Sequence, residues 1–180
     1  MNKPRINNID LIIYDFDGVM TNNKVLISQD GTEMVQVNRA DGLGVSEINK
    51  LGIKQIIIST EENPVVTSRA RKLNIQCLQG IVDKKNTLID YCNKNRIKLK
   101  NIIYVGNDIN DKEVMEIVGS TFCPADAHKS IKAISDHVLK TKGGDGVIRE
   151  FLDLIIKLWE RLRNNYWWRM EYKLIETLGQ

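Results

Sequence analysis

Cysteine is scarce in this chain: Cys77, Cys92 and Cys123 are its only three among 180 residues. An odd number with no CxxC pair argues against both a disulfide framework and a zinc ribbon, and a reducing cytoplasm is the expected compartment. Aromatic residues are few, at 6%, and no apolar run approaches the roughly 18 residues of a membrane span. Neither sign of charge dominates. The 26 Lys and Arg stand against 23 Asp and Glu, and a net charge of +3 is too small to imply a nucleic-acid partner. The N-terminus shows no signal-peptide apolar region, since Met1-Asn2-Lys3-Pro4-Arg5 leads directly into Ile9–Tyr14. Internal repeats and low-complexity stretches are also missing. What remains, 42% apolar and 27% charged, is the composition of a globular protein large enough for one domain with an appendage. We expect a domain over 1–155 and a helical tail over 156–180.

Short apolar runs at Asp10–Tyr14, Gln55–Ile58, Ile102–Val105 and, more weakly, His137–Leu139 predict buried parallel strands, with amphipathic stretches between them. Helices are expected from about Asp41 to Leu51, stopped by Gly52, and from Asn63-Pro64, a cap followed by a first-turn proline, to near Leu73. Further helices fit Asp83–Asn95, Asp111–Val118, a short stretch after Ala127, and a last one from near Asp145. The series is that of an α/β fold, a doubly wound Rossmann-like parallel sheet. One segment breaks the rhythm. Lys24–Ser28 and Glu33–Asn38 alternate like strands around Asp30-Gly31, which predicts a projecting β-hairpin over about 24–38.

In an open α/β sheet, reactive groups collect where strands end. The first strand ends in Asp15-Phe16-Asp17-Gly18-Val19, two carboxylates two residues apart with a glycine permitting the turn. The second ends in Ser59-Thr60, whose hydroxyls can hold a phosphoryl oxygen, and Lys84 opens a helix after Val82-Asp83. The third ends in Gly106-Asn107-Asp108-Ile109-Asn110-Asp111, a second cluster of oxygen ligands. Each has a plain structural reading by itself: a solvated loop, a strand cap, a surface lysine, a helix cap. The order and the placement at successive strand ends and helix starts favour a joint chemical role.

With these four motifs the chain resembles the haloacid dehalogenase-like phosphatase superfamily over about residues 9–155. Asp41-Gly42-Leu43-Gly44, Pro124-Ala125-Asp126-Ala127-His128 and Gly143-Gly144-Asp145-Gly146-Val147-Ile148-Arg149-Glu150 narrow the resemblance. They point to the cap-less branch of 3-deoxy-octulosonate 8-phosphate and nonulosonate 9-phosphate phosphatases. The resemblance implies Mg²⁺ as cofactor, Asp15 as the nucleophile forming an aspartyl-phosphate, and Asp17 as acid and then base. Ser59 and Lys84 would neutralise phosphoryl charge. The family's usual third acidic metal ligand is replaced here by Asn107. We expect Asn107 to bind metal through its carbonyl oxygen beside Asp15 and Asp17, with Asp108 or Asp111 ordering Lys84 and bound water, or Asp108 ligating directly.

The intervals from Asp15 to Ser59 and from Ser59 to Lys84 are filled by the hairpin and two helices, which leaves no room for a cap domain. The resemblance therefore implies a homotetramer in which hairpins and C-terminal tails close the sites. Where the octulosonate enzymes usually carry Gly-Arg after the second motif, this chain has Thr60-Glu61. The nonulosonate enzymes are similar to it in having a Glu there, followed by an Arg and a Lys matched by Arg69 and Lys72. Arg69 and Lys72 share a helical face able to meet a sugar-acid carboxylate, while Glu61 takes hydroxyl or amide hydrogens; a solvated basic face is the alternative. The expected activity is removal of the 9-phosphate from a nine-carbon α-keto sugar acid of the sialic-acid type. The eight-carbon 8-phosphate is the alternative substrate, and a non-catalytic oligomerising lobe the alternative role. The tail's Trp167-Trp168 and arginines read as an oligomer contact rather than a nucleic-acid or membrane surface, because Glu160, Glu171 and Glu176 interrupt the charge.

Overall fold

The computed structural model describes residues 9–157, so the tail with Trp167 and Trp168 lies outside the described residues. The chain opens with β1 (Leu11–Tyr14), the hairpin strands β2 (Thr21–Ile27) and β3 (Glu33–Val37), and α1 (Arg39–Lys50). It continues through β4 (Lys54–Ile58), α2 (Val65–Leu73), β5 (Gln76–Leu78) and α3 (Lys84–Asn95). Then follow β6 (Ile102–Val105), α4 (Lys112–Met115), β7 (Ser120–Cys123), α5 (Lys129–Ile134), β8 (His137–Val138) and a last helix, α6, from 147 to 157.

Six strands form one parallel sheet in the order β5-β4-β1-β6-β7-β8, and β2 and β3 form a separate antiparallel pair. Strand alternation explains the two-sided core. Ile12 and Tyr14 face Val45, Ile48, Val66, Val147 and Phe151 of α1, α2 and α6. Leu11 and Ile13 face Leu88, Tyr91, Val114 and Ile131 of α3, α4 and α5. All four β1 residues are fully buried. At about 1.5–3 kcal/mol for each such side chain, burial holds β1 firmly, and the loop carrying Asp15 hangs from its end.

Two strands, β5 and β7, were not expected from the sequence. Gln76-Cys77-Leu78 and Ser120-Thr121-Phe122-Cys123 mix polar with apolar residues and present no short apolar run, yet they extend the sheet outward. The hairpin begins three residues earlier than predicted, at Thr21, and the fourth helix is only Lys112–Met115, preceded by a 3-10 turn over Ile109–Asp111. Pro64, expected in the first turn of α2, instead stands at its N-cap with no side-chain bond, and Asn63 before it accepts from Val65 N through Oδ1 at 3.1 Å. Among the described residues no helix is long and apolar enough to cross a membrane, and no domain is inserted between the sheet and its helices.

Asp41, in the first turn of α1, is 1% exposed and accepts from Ile148 N at 2.9 Å and Arg149 N at 3.3 Å, joining α1 to the start of α6. Burial raises its carboxyl to about 6 against the pull of those two amides and the Arg69 charge. The folded protein therefore holds this proton more tightly than the unfolded chain. The associated stability, on the order of 3 kcal/mol, is present below about pH 4 and is lost as pH rises through about 6. We expect the melting-temperature advantage of wild type over Asp41→Asn to shrink as pH rises from 4 to 7. A difference that stays flat across that range would refute it.

Candidate active site

Four loops meet at the C-terminal ends of β1, β4 and β6 and at the start of α3. Asp15 is 4% exposed, and its Oδ1 accepts from Phe16 N at 2.8 Å and pairs with Lys84 Nζ at 2.8 Å. Both contacts use the same oxygen, so Oδ2 remains for other partners. Lys84, 2% exposed at the first position of α3, also donates to Asp111 Oδ1 at 2.7 Å. Asp111 is fully buried and takes Tyr104 Oη at 2.8 Å on the same oxygen and Asn107 N at 2.8 Å on the other. The expectation that Asp111 orders Lys84 corresponds to this arrangement; the same side chain also closes a capping box on the 3-10 turn, its Oδ2 accepting from Asp108 N at 3.4 Å.

The buried trio explains the protonation directions. Desolvation and the neighbouring Asp111 raise Asp15 to about 8, with Lys84 opposing. Lys84 is raised because the two carboxylates outweigh its own burial. Asp17, half-buried, is raised by burial and by the nearby Glu61 and Glu33 charges against a hydrogen bond from Thr21 Oγ1 at 3.2 Å. A carboxyl group held partly toward its acid form at this point suits proton donation to a leaving oxygen. Gly18 takes φ +79°, and any Cβ there would fall on the Asn107 amide, so the two loops close against each other only with glycine at this position.

Asp15, Asp17, Asn107, Asp108 and Thr60 border one cavity of about 300 Å³. Asn107 Oδ1 is buried and has no hydrogen-bond partner among the described residues. Such an oxygen is costly unless something positive meets it. Among the described residues no three His, Cys, Asp or Glu side chains cluster as a metal site. The oxygen set is instead two carboxylates and an amide, hard donors of the kind Mg²⁺ takes, and the residues fit a divalent cation. A cation placed here would also favour ionised Asp15, which burial alone disfavours.

A second cavity of about 190 Å³ adjoins the first through their shared Asp17 and Asn23, and is bordered by Glu33, Val35, Glu61 and Asn63. Glu61 N is held by Ser59 Oγ at 3.1 Å, and its own Oε1 takes Asn63 N at 2.8 Å. Ser59 is buried at the end of β4. Sequence reasoning missed Asn23, which has φ +60° and borders both cavities, and Glu33 of the hairpin, which borders the second. Nothing in their local pattern marks them, because a hairpin brings them in from the side.

Arg69 and Lys72 are not brought to this place within the chain. They border a separate cavity of about 470 Å³ between α1 and α2, with Arg39 and Ser46, and Arg69 Nη2 donates to Asn38 O at 2.8 Å. The cause is helical geometry: Val66, Ala70 and Leu73 bury one face of α2, which turns the neighbouring basic positions toward α1.

Residues 45–151 match the model of the haloacid dehalogenase-like hydrolases, Hydrolase_3. The chain belongs to this family. It is 34% identical over 153 residues, 84% of this chain and 81% of the relative, to the 3-deoxy-D-manno-octulosonate 8-phosphate phosphatase KdsC of Escherichia coli K12. It superimposes on a HAD family hydrolase from Streptomyces avermitilis with TM-score 0.79 and 43% identity, covering 83% of this chain and 86% of that one. A Moraxella catarrhalis 3-deoxy-D-manno-octulosonate 8-phosphate phosphatase, crystallised with a magnesium ion, a phosphate ion and KDO, gives TM-score 0.80 at 30% identity over the same shares. This haloacid dehalogenase-like chain is a phosphoric monoester hydrolase of the cap-less branch, and its oxygen donors fit a divalent cation such as the magnesium ion of the Moraxella structure.

Proposed function

We propose that the chain is a Mg²⁺-dependent phosphatase removing the 9-phosphate of a nine-carbon α-keto sugar acid of the sialic-acid type. The observation that carries this reading is Glu61, held by Ser59 and Asn63 on the cavity that continues from Asp17. A leaving group bound there would extend past Asp17 and Asn23 toward the hairpin, where Glu61 accepts from its hydroxyls or amide. Arg69 and Lys72 do not enter the argument for a single chain.

In the proposed mechanism Asp15 attacks phosphorus through the oxygen not held by Lys84, and Asp17 donates its proton to the leaving sugar oxygen. Asp17 then withdraws a proton from the water that hydrolyses the aspartyl-phosphate. Ser59 and Lys84 steady the equatorial oxygens, and Asp15, Asp17, Asn107 and, through water or directly, Asp108 would hold the cation. Mg²⁺ supplies charge neutralisation at the phosphoryl group. The exposed apolar residues of the hairpin, Val25, Leu26, Ile27 and Met34, support the accompanying proposal of a homotetramer whose hairpins bury one another.

The second reading is the eight-carbon 8-phosphate, favoured by the activity named for the Escherichia coli and Moraxella relatives. Phosphate release from matched nine- and eight-carbon substrates, with Mg²⁺ or EDTA, separates the two. We expect a preference of at least about tenfold in kcat/KM for the nine-carbon compound, equivalent to about 1.4 kcal/mol. Glu61→Ala should cut that substrate far more than an aryl phosphate. Equal losses on both compounds would remove the nine-carbon reading and leave the eight-carbon one.

A further inference from the structure

Outside the reacting groups, the loop carrying Asp15 and Asp17 leans on one turn, residues 140–146. Gly144 N donates to Val19 O at 3.1 Å. Gly143 lies so close beneath the loop that a Cβ on it would collide with Gly18 O. Two carboxylates hold this turn. Glu150, on α6, accepts from Lys140 N at 3.0 Å and Thr141 N at 2.7 Å. Asp126, in the connection from β7 to α5, accepts from Gly143 N through Oδ1 at 2.9 Å.

The segment bearing Asp126 also touches the opposite wall. Two residues on, His128 N donates to Asn107 O at 2.8 Å. Residues 126–128 therefore join the floor of the Asp17 loop to the backbone of the residue whose buried amide oxygen lacks a partner among the described residues. We propose that Asp126 is a positioning residue that fixes the gap between the Asp15–Asp17 loop and Asn107. It does not border the cavity, so it acts through Gly143 and not on substrate. The inference rests on the reading of Asp15, Asp17 and Asn107 as the cation and phosphoryl site. Its physical basis is that a phosphoryl group and a cation bridging two loops tolerate little change in their spacing, a displacement near 1 Å costing about 100-fold in rate.

The test compares full-length wild type, Asp126→Ala, Asp126→Asn and Glu150→Ala, with Asp15→Asn as the blank. It measures kcat and KM for p-nitrophenyl phosphate, thermal melting, and calorimetric Mg²⁺ binding to the substrate-free protein. Asp126→Ala is expected to lower kcat by about 10- to 100-fold with KM within about threefold, and to weaken Mg²⁺ binding at least about threefold. Its melting temperature should stay within about 3 °C of wild type. Asp126→Asn keeps an oxygen for Gly143 N and is expected to recover kcat to within about threefold. Glu150→Ala, which releases the same turn from its other end, should reproduce the loss of kcat. A wild-type kcat in Asp126→Ala overturns the inference, as does an Asn variant no better than Ala, or a loss confined to melting. Wild type with no release above the blank would instead overturn the phosphatase site on which it rests.

Discussion

Replacing Asp15 with Asn is expected to abolish phosphate release, a loss of at least about 10⁴-fold in kcat, in a protein that melts at or above the wild-type temperature. The two effects have one origin. Asp15 is buried beside Asp111, which raises its carboxyl to about 8, and only Lys84 and the Phe16 amide offset the cost of its charge. Asn keeps an oxygen for those two donors and drops the repulsion with Asp111, yet an amide is a poor nucleophile toward phosphorus. Activity and stability therefore move apart, as expected when a site holds charge that the fold alone would not choose. Parallel phosphate-release and melting measurements decide the matter. A variant that retains a tenth of the activity, or melts well below wild type, would refute this account of Asp15.

Lys84→Met has the opposite signature. Lys84 Nζ is the one cation within salt-bridge reach of both Asp15 and Asp111 among the described residues, at 2.8 and 2.7 Å. Its removal leaves the fully buried Asp111 without a counter-charge and pushes the already raised Asp15 further toward its acid form, and breaking such a buried arrangement from one side costs about 3–5 kcal/mol. Lys84→Met should show this loss in denaturant unfolding, together with a fall in phosphate release of about 10³-fold. Adding Asp111→Asn removes one stranded charge, so the double variant should regain part of the stability and none of the activity. If the double variant were less stable than the single, the electrostatic account of the trio would be wrong.

Much of this was legible in the sequence because the candidate site motifs coincide with strong local signals. Asp10–Tyr14 and Ile102–Val105 are apolar enough to be read as buried strands, and Asp15 and Gly106–Asp111 follow directly from their ends. Lys84 was legible as the opening of a helix, though its partners were not, since Asp15 and Asp111 reach it only after the sheet brings three distant segments together. Strands β5 and β7 escaped because polar residues interrupt their runs, and the sheet recruits them by backbone pairing instead. Arg69 and Lys72 show the limit of helical spacing. The interval correctly puts two residues on one face but does not say which neighbour that face meets, and here it meets α1.

The strand order also has a kinetic side. Leu11 pairs with Lys54 on one flank of β1 and with Ile102 on the other. Every pairing of the central strand thus waits for loop closures across much of the chain, the kind of non-local contact that slows folding. Because Asp15, Ser59 and Asn107 follow the three strands that those pairings bring together, a refolding molecule gains helices long before it can gain turnover. Recovery of phosphate release after dilution from denaturant should therefore lag behind recovery of far-ultraviolet circular dichroism, making activity a clock for the last step of sheet assembly.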